Sequence, residues 1–355
     1  MKKLIKAKLK ANWTYIIVII FVASFVAAGI LIYLKWPLQK AANNQTTHGA
    51  CLSDNETATF NIIGGQTTAT SADVIISDKV TGKEKLRFQV DNLFVNHYHL
   101  YETHKCSIYI IKEFDFDQKH AKFLPGFRVE LWQYKYDGKG VPILTFAGKD
   151  AKGQTTVYYE ADFRIDFLET LMALIKGYLG DIDNFATIIK ELETKKDVFS
   201  LKYKNITSKY PDIEGVFDFN GWTRDSHYFW GHIQQGANIL AFFRIERDTW
   251  KVDILPAPEG TLGGTAFNPE YGYITYDTGP GWIGVVEVAE QVYDEWRKAG
   301  KKIDFYVYNL FTKEKTLLAT IDDPSWSFQQ KWISDTELEY ELPGGEKKIY
   351  KINGQ

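Results

Sequence analysis

WTRDSHYFW at residues 222–230 aligns without gaps to WISDTELEY at residues 332–340, giving the pattern W-x-x-D-[S/T]-x-[Y/L]-x-[W/Y]. Each copy is an aromatic residue, a short polar turn and an apolar strand, which is the pattern of a hairpin. FNPEYGYITY from Phe267 and FRIDFLETLMAL from Phe163 are looser copies. In the first copy Asp225, Ser226 and His227 supply the three residue types of a hydrolase triad. Contiguous residues splay around a turn or point to opposite strand faces, so they cannot easily form a nucleophile, base and orienter relay. There is also no G-x-S-x-G elbow. The turn reading makes Trp222 and Trp332 packing anchors and Asp225 and Asp335 braces for turn amides, with Asn268 and Pro269 in the equivalent turn.

A second unit recurs between these copies, an apolar strand, a polar turn rich in Thr, Asp, Gly and Lys, and another apolar strand. It begins at Ala72, Phe127, Phe185, Leu240 and Ile303, and its turns fall near Thr81, Asp137, Thr194, Asp248 and Thr312, a spacing of roughly 55 to 65 residues. Two hairpins per repeat make a four-stranded antiparallel sheet, and such sheets arranged around an axis are blades of a β-propeller. The expected fold is all-β, a five-bladed propeller over residues 59–355, closed by pairing of 72–90 with 332–352 so that neither edge is exposed. Six blades, with Thr59 to Gly65 in an extra one, is the alternative. Residues 168–196 have helical propensity throughout, but the repeat alignment makes them strands.

FNPEYGYITY and WTRDSHYFW resemble the S-P-D-G-x-x-[apolar]-x-[aromatic] turn of bacterial propeller repeats, similar to those of the periplasmic Tol propeller and of prolyl-oligopeptidase-type propeller domains. The likeness covers the short hairpins of four repeats and implies a fold, not an activity. The repeats here are longer than the usual ~40 to 45 residues, Pro occurs only in the Phe267 copy, and no hydrolase domain accompanies them.

Residues 14–34, TYIIVIIFVASFVAAGILIYL, contain no charge. At about 1.5 Å per residue this run spans the ~30 Å hydrocarbon core as a transmembrane helix. Lys2, Lys3, Lys6, Lys8 and Lys10 precede it and only Lys35 and Lys40 closely follow, which keeps the basic arm 1–13 cytoplasmic and places the rest outside the cell membrane. A cleaved signal peptide ending near Val26 and Ala28 is the rival, but the apolar run exceeds the ~7 to 15 residues of a signal core. Residues 35–58 read as a polar linker.

Without those seven lysines, 35 basic residues face 45 acidic ones. This acidity argues against nucleic acid and anionic lipid as partners of the exported part. Cys51 and Cys106 both lie there, and an oxidising compartment favours a disulfide between them.

Other clusters carry chemistry less clearly. His97, His99 and His104 with Cys106 have spacing that a metal could use, yet a bridged Cys106 removes one ligand, so no metal or other cofactor is expected. Glu113, Asp115 and Asp117 should share one strand face, as Ca²⁺ ligands, glycosidase acids or a plain solvated face. From Gly284 to Gly300 a helix is expected, with Trp282, Val288, Val292 and Trp296 as a candidate partner surface. These features together favour a membrane-anchored extracytoplasmic binding or scaffold module for a protein or cell-envelope polymer. A glycoside hydrolase with carboxylates in the propeller funnel is the alternative.

Overall fold

The computed structural model describes residues 51–63, 71–94, 100–117, 122–149, 155–157, 162–176, 185–213, 215–262, 265–280 and 286–352. The arm 1–13, the apolar run 14–34 and the first part of the linker lie outside the described residues. Among the described residues no helix is long and apolar enough to cross a membrane.

Among the described residues, twenty-three strands form six antiparallel sheets in chain order. The first holds β1 (Glu56–Ile63), β2 (Ser71–Asp78) and β3 (Glu84–Asp91). The second holds β4 (Tyr101–Thr103), β5 (Ser107–Asp117), β6 (Lys122–Lys135), β7 (Gly140–Lys149) and β8 (Thr155–Val157). In the third are β9 (Phe163–Ile165), β10 (Leu171–Lys176), β11 (Ala186–Glu191) and β12 (Asp197–Lys202), followed by a short helix α1 (Tyr203–Thr207). The fourth comprises β13 (Val216–Trp222), β14 (Tyr228–Gln235), β15 (Asn238–Glu246) and β16 (Val252–Pro256). The fifth comprises β17 (Phe267–Asn268), β18 (Tyr273–Asp277), β19 (Ile303–Asn309) and β20 (Lys315–Ile321), with α2 (Val286–Lys298) inserted between β18 and β19. The sixth holds β21 (Gln330–Trp332), β22 (Glu337–Glu341) and β23 (Lys347–Lys351).

Five apolar cores join the six sheets face to face. Val74 and Ile76 meet Ile108 and Ile110 between the first and second, and Tyr109 and Leu131 meet Phe163 and Leu174 between the second and third. Ile189 and Phe185 pack on Phe217 and Phe243 between the third and fourth. Trp230 and Phe242 pack on Ile274 and Leu310 between the fourth and fifth, and Phe305 stacks on Phe328 with their centroids 4.1 Å apart between the fifth and sixth. The array also curves: Arg224, in the β13–β14 turn of the fourth sheet, bonds Asp335 of the sixth at 2.8 Å. Such a contact past the fifth sheet requires the first strands of successive sheets to converge, as they do around a propeller axis.

Within the helix-like run 168–196, Leu171–Lys176 and Ala186–Glu191 are strands, and β10 is covered on both faces. Leu171, Ala173 and Ile175 enter the core shared with the fourth sheet, whereas Met172 and Leu174 enter the core shared with the second. Continuous apolar sequence is the expected signature of a doubly buried strand, and its alternation decides which neighbour each side chain meets.

The expected ring closure is corrected. Residues 72–90 and 332–352 lie in separate sheets, because β1 pairs along all of β2, from Glu56 opposite Asp78 to Ile63 opposite Ser71. Among the described residues there are six sheets, the number of the alternative, with residues 59–63 in the first of them. The linker boundary moves for the same reason, since Glu56, Thr57 and Ala58 are buried in β1 and Lys85 caps Glu56 at 2.5 Å. The Cys51–Cys106 disulfide fastens this entry strand to the second sheet, with Leu52 N–H donating to the Lys105 carbonyl at 2.6 Å. With a sequence separation of 55 between its ends, such a bridge is worth about 4 kcal/mol in the chain-entropy account.

Four of the outer hairpins turn in the same way. An Asp, Glu or Asn at Asp78, Glu191, Glu246 or Asn309 is followed three residues later by Thr81, Thr194, Thr249 or Thr312. The next residue is left-handed: Gly82 (φ 68°), Lys195 (62°), Trp250 (55°) and Lys313 (61°). Its amide donates to the carbonyl of the first residue at 2.8 to 2.9 Å, and each Thr hydroxyl accepts the amide two residues on at 3.2 to 3.3 Å. This is a type I turn closed by a left-handed bulge residue.

Candidate functional site

The turns joining the first and second strands of the sheets are braced differently. In the third sheet the buried Asp166 accepts Thr170 and Leu171 amides at 2.6 and 2.7 Å and the Thr170 hydroxyl at 2.9 Å. Its second oxygen also accepts Arg247 Nη1 from the fourth sheet at 2.7 Å. In the fourth, Asp225 Oδ1 accepts the Thr223 hydroxyl at 2.6 Å and the His227 amide at 2.9 Å; the Thr223 bond, first, and the His227 bond hold its carboxyl below the usual range. In the fifth, Asn268 Oδ1 accepts the amides of Glu270 and Tyr271 while its Nδ2 donates to the Asp335 carbonyl of the sixth sheet at 2.7 Å.

The aromatic positions also reach backwards along the array. Trp222 is buried against Phe229, and its indole N–H donates to the Arg164 carbonyl of the third sheet at 3.1 Å. Trp332 does the same to Ala266 beside the fifth sheet at 3.3 Å. The anchors and the braces Asp166 and Asn268 therefore tie one sheet to another, whereas Asp225 braces its own turn.

Because these turns converge, they border an open pocket of about 220 Å³ lined by Trp222, Arg224, Phe267, Pro269, Glu270 and Trp332 among others. Phe167 of the third sheet and Ile333 of the sixth, 53% and 43% exposed, form apolar parts of its lining. Arg224 straddles the site: its amide donates to Glu270 Oε1 at 2.8 Å and its guanidinium to Asp335 Oδ2. Trp222, Trp332, Asp335, Asn268 and Pro269, selected from the sequence as turn residues, are thus brought to one place, while Asp225 stands in the adjoining turn. Phe167, Arg224, Glu270 and Ile333 were not selected. Glu270 could have been found, since it stands three residues after Phe267 as Asp225 does after Trp222 and Asp335 after Trp332.

The adjacent Asp225, Ser226 and His227 point to different partners. Ser226 is left-handed (φ 59°) and buried, and its hydroxyl accepts the Leu168 amide at 3.2 Å. His227 instead faces Glu246 at 3.3 Å and Asp248 at 3.7 Å.

His104 sits 3.3 Å from Glu102 and edge-on to Tyr109, and Cys106 is in the disulfide; His97 and His99 lie outside the described residues. Among the described residues no cluster of three or more acidic, His or Cys side chains is arranged to hold a metal.

The shared face expected for Glu113, Asp115 and Asp117 is corrected. The β5–β6 register shifts between Phe114 and Phe116, with Asp115 left-handed at φ 58° in the bulge. Opposite it is Gly126, where a Cβ would stand 2.8 Å from Asp115 Oδ2. A bulge residue breaks the alternation on which the shared face depended. Glu113 keeps a pKa pushed up to about 7 by burial.

In α2, Trp296 packs into the core between the fifth and sixth sheets, Val292 is half-buried and Val288 is exposed; Trp282 lies outside the described residues. Near the axis, Arg164 engages the carboxylates of Asp162 and Glu102. Arg164 bonds the buried Asp162 at 2.5 Å and lies 3.8 Å from Glu102. The Glu102 carboxylate also accepts the Ile165 amide at 2.8 Å. Asp218 stands 3.8 Å from His232, whose pKa burial lowers against the opposing pull of Asp218.

No family model and no curated protein matches this chain. Its fold is similar to that of TolB from Acinetobacter baumannii, at 11% identity and a TM-score of 0.41, over 85% of this chain and 65% of that one. The chain therefore spans just under two thirds of that protein. The β-propeller domain of the Trilobed protease from Pyrococcus furiosus is similar at 9% identity and a TM-score of 0.44, over 89% and 82%. An oligogalacturonate lyase in complex with manganese is similar at 11% identity and a TM-score of 0.44, over 87% and 75%. These likenesses are of fold only, and no functional residue is carried over from them.

Proposed function

We propose that this chain is a membrane-anchored, extracytoplasmic β-propeller that acts as a binding module, taking up a protein or cell-envelope polymer at the pocket of the converging first turns. The single observation that carries this reading is the pocket itself: turns from four successive sheets place aromatic walls, apolar Phe167 and Ile333 and a mixed set of charges around it. A rigid rim of turns on packed sheets is suited to recognition. The charge-free run at 14–34 and its lysine asymmetry support the anchor and the orientation. The carboxylates near the axis are already held by Arg164 or beside His232, which favours binding over an acid-and-base role for them.

Phe167 and Ile333 are exposed and can be changed without opening a core. The full chain carrying Phe167→Ser and Ile333→Ser should melt as the parent does but retain markedly less solubilised cell-envelope material when immobilised. Unchanged retention rejects the pocket as the binding site.

A further inference from the structure

The polar groups of the pocket are unequally available. Trp222 and Trp332 already donate their indole N–H groups to carbonyls, and Asn268 uses both ends of its amide. These three therefore present apolar and π surface to a ligand. Glu270 uses only Oε1 and Asp335 only Oδ2, both for Arg224, which leaves each carboxylate one oxygen without a protein partner among the described residues. Two carboxylates against one guanidinium make the site net negative, on an exported chain that is itself acidic. Aromatic walls with excess negative charge attract cations through both the ring quadrupole and the field of the site.

Size narrows the choice further. A pocket of about 220 Å³ falls below the ~300 to 1,000 Å³ of ordinary small-molecule sites, and suits one long side chain. The geometry points to an arginine or lysine side chain of a basic peptide segment as the occupant, its charged head between Glu270 and Asp335 and its stem against Trp222, Phe267 and Trp332. Arg224 then acts as an internal competitor, since its guanidinium holds the Asp335 carboxylate that the incoming cation needs. This inference rests on the pocket being the binding site.

The test is calorimetric titration of the full chain in detergent micelles with glycine-flanked pentapeptides whose central residue is arginine, lysine, citrulline or glutamate. Arginine and lysine peptides should bind at least about tenfold more tightly than the citrulline and glutamate ones, the scale on which paired charges discriminate at an interface. The isosteric Glu270→Gln, Asp335→Asn pair should abolish that preference. Arg224→Ala, a change at an exposed side chain, should strengthen arginine-peptide binding severalfold by freeing Asp335. Equal binding of arginine and citrulline peptides, no binding by either, a preference that survives the double substitution, or weaker binding by Arg224→Ala would each overturn the inference. If envelope material is lost by the Phe167→Ser, Ile333→Ser chain but kept by Glu270→Gln, Asp335→Asn, the pocket stands and its cation specificity falls. If both variants keep it, both readings fall.

Discussion

The outer and inner hairpin turns have similar polar sequences but opposite ways of being held. An outer turn such as Asn309 to Glu314 is closed by its own residues: Asn309 Oδ1 takes the amides of Phe311 and Thr312, and the Thr312 hydroxyl takes that of Glu314. An inner turn borrows from the neighbouring sheet, as Asp166 does from Arg247 and Asn268 does from Asp335. Outer turns close their own backbone bonds, although Arg247 of one reaches back to Asp166 and Phe311 of another packs on Trp230 of the fourth sheet, whereas inner turns, crowded near the axis, take backbone or brace bonds from the neighbouring sheet. That crowding turns a structural repeat into a candidate binding site.

The contrast can be broken or sharpened by substitution, beginning with the largest effect. Trp222→Ala removes a buried side chain shared by two sheets and should cost about 3–5 kcal/mol in chemical unfolding; a loss below about 1 kcal/mol would show that the sheets do not depend on that anchor. Asp166→Ala leaves Arg247 and two turn amides without their acceptor and should cost about 3 kcal/mol, with strong non-additivity to Arg247→Ala in a double-mutant cycle. At the outer turn, Thr312→Ala should cost only about 1 kcal/mol. Lys313→Gly, at φ 61°, should be neutral or stabilising by a few tenths of a kcal/mol because glycine enters the left-handed region freely. Outer-turn losses as large as that of Asp166→Ala would erase the distinction.

Local rules made much of this fold legible. Strand alternation and the recurring Thr turns are short-range features, so the outer hairpins could be counted from the chain, and the repeat corrected the helical look of residues 168–196. β1 entered only through the six-blade alternative and its start at Glu56 was assigned to the linker, because ETATFNII follows a polar stretch and its burial involves Lys85 and the Cys51–Cys106 bridge, both distant in sequence. The Asp115 bulge escaped for a similar reason, since the room for it is made by Gly126 across the ladder. The pocket was visible only in part. Trp222, Asn268 and Trp332 announced themselves as repeat positions, but Arg224 and Ile333 occupy the variable places of the motif and meet only because the array curves.

The central claim is that recognition belongs to the inner turns and not to the outer ones. A photoreactive residue placed at Ile333, in the pocket lining, or at Val80, an outer-turn position 86% exposed, samples the two regions in the same full-length chain expressed in whole cells. Irradiation should give discrete adducts from position 333 that disappear when Trp332→Ala is added, and none from position 80. Equal labelling at both positions, or adducts from position 80 alone, would contradict the account.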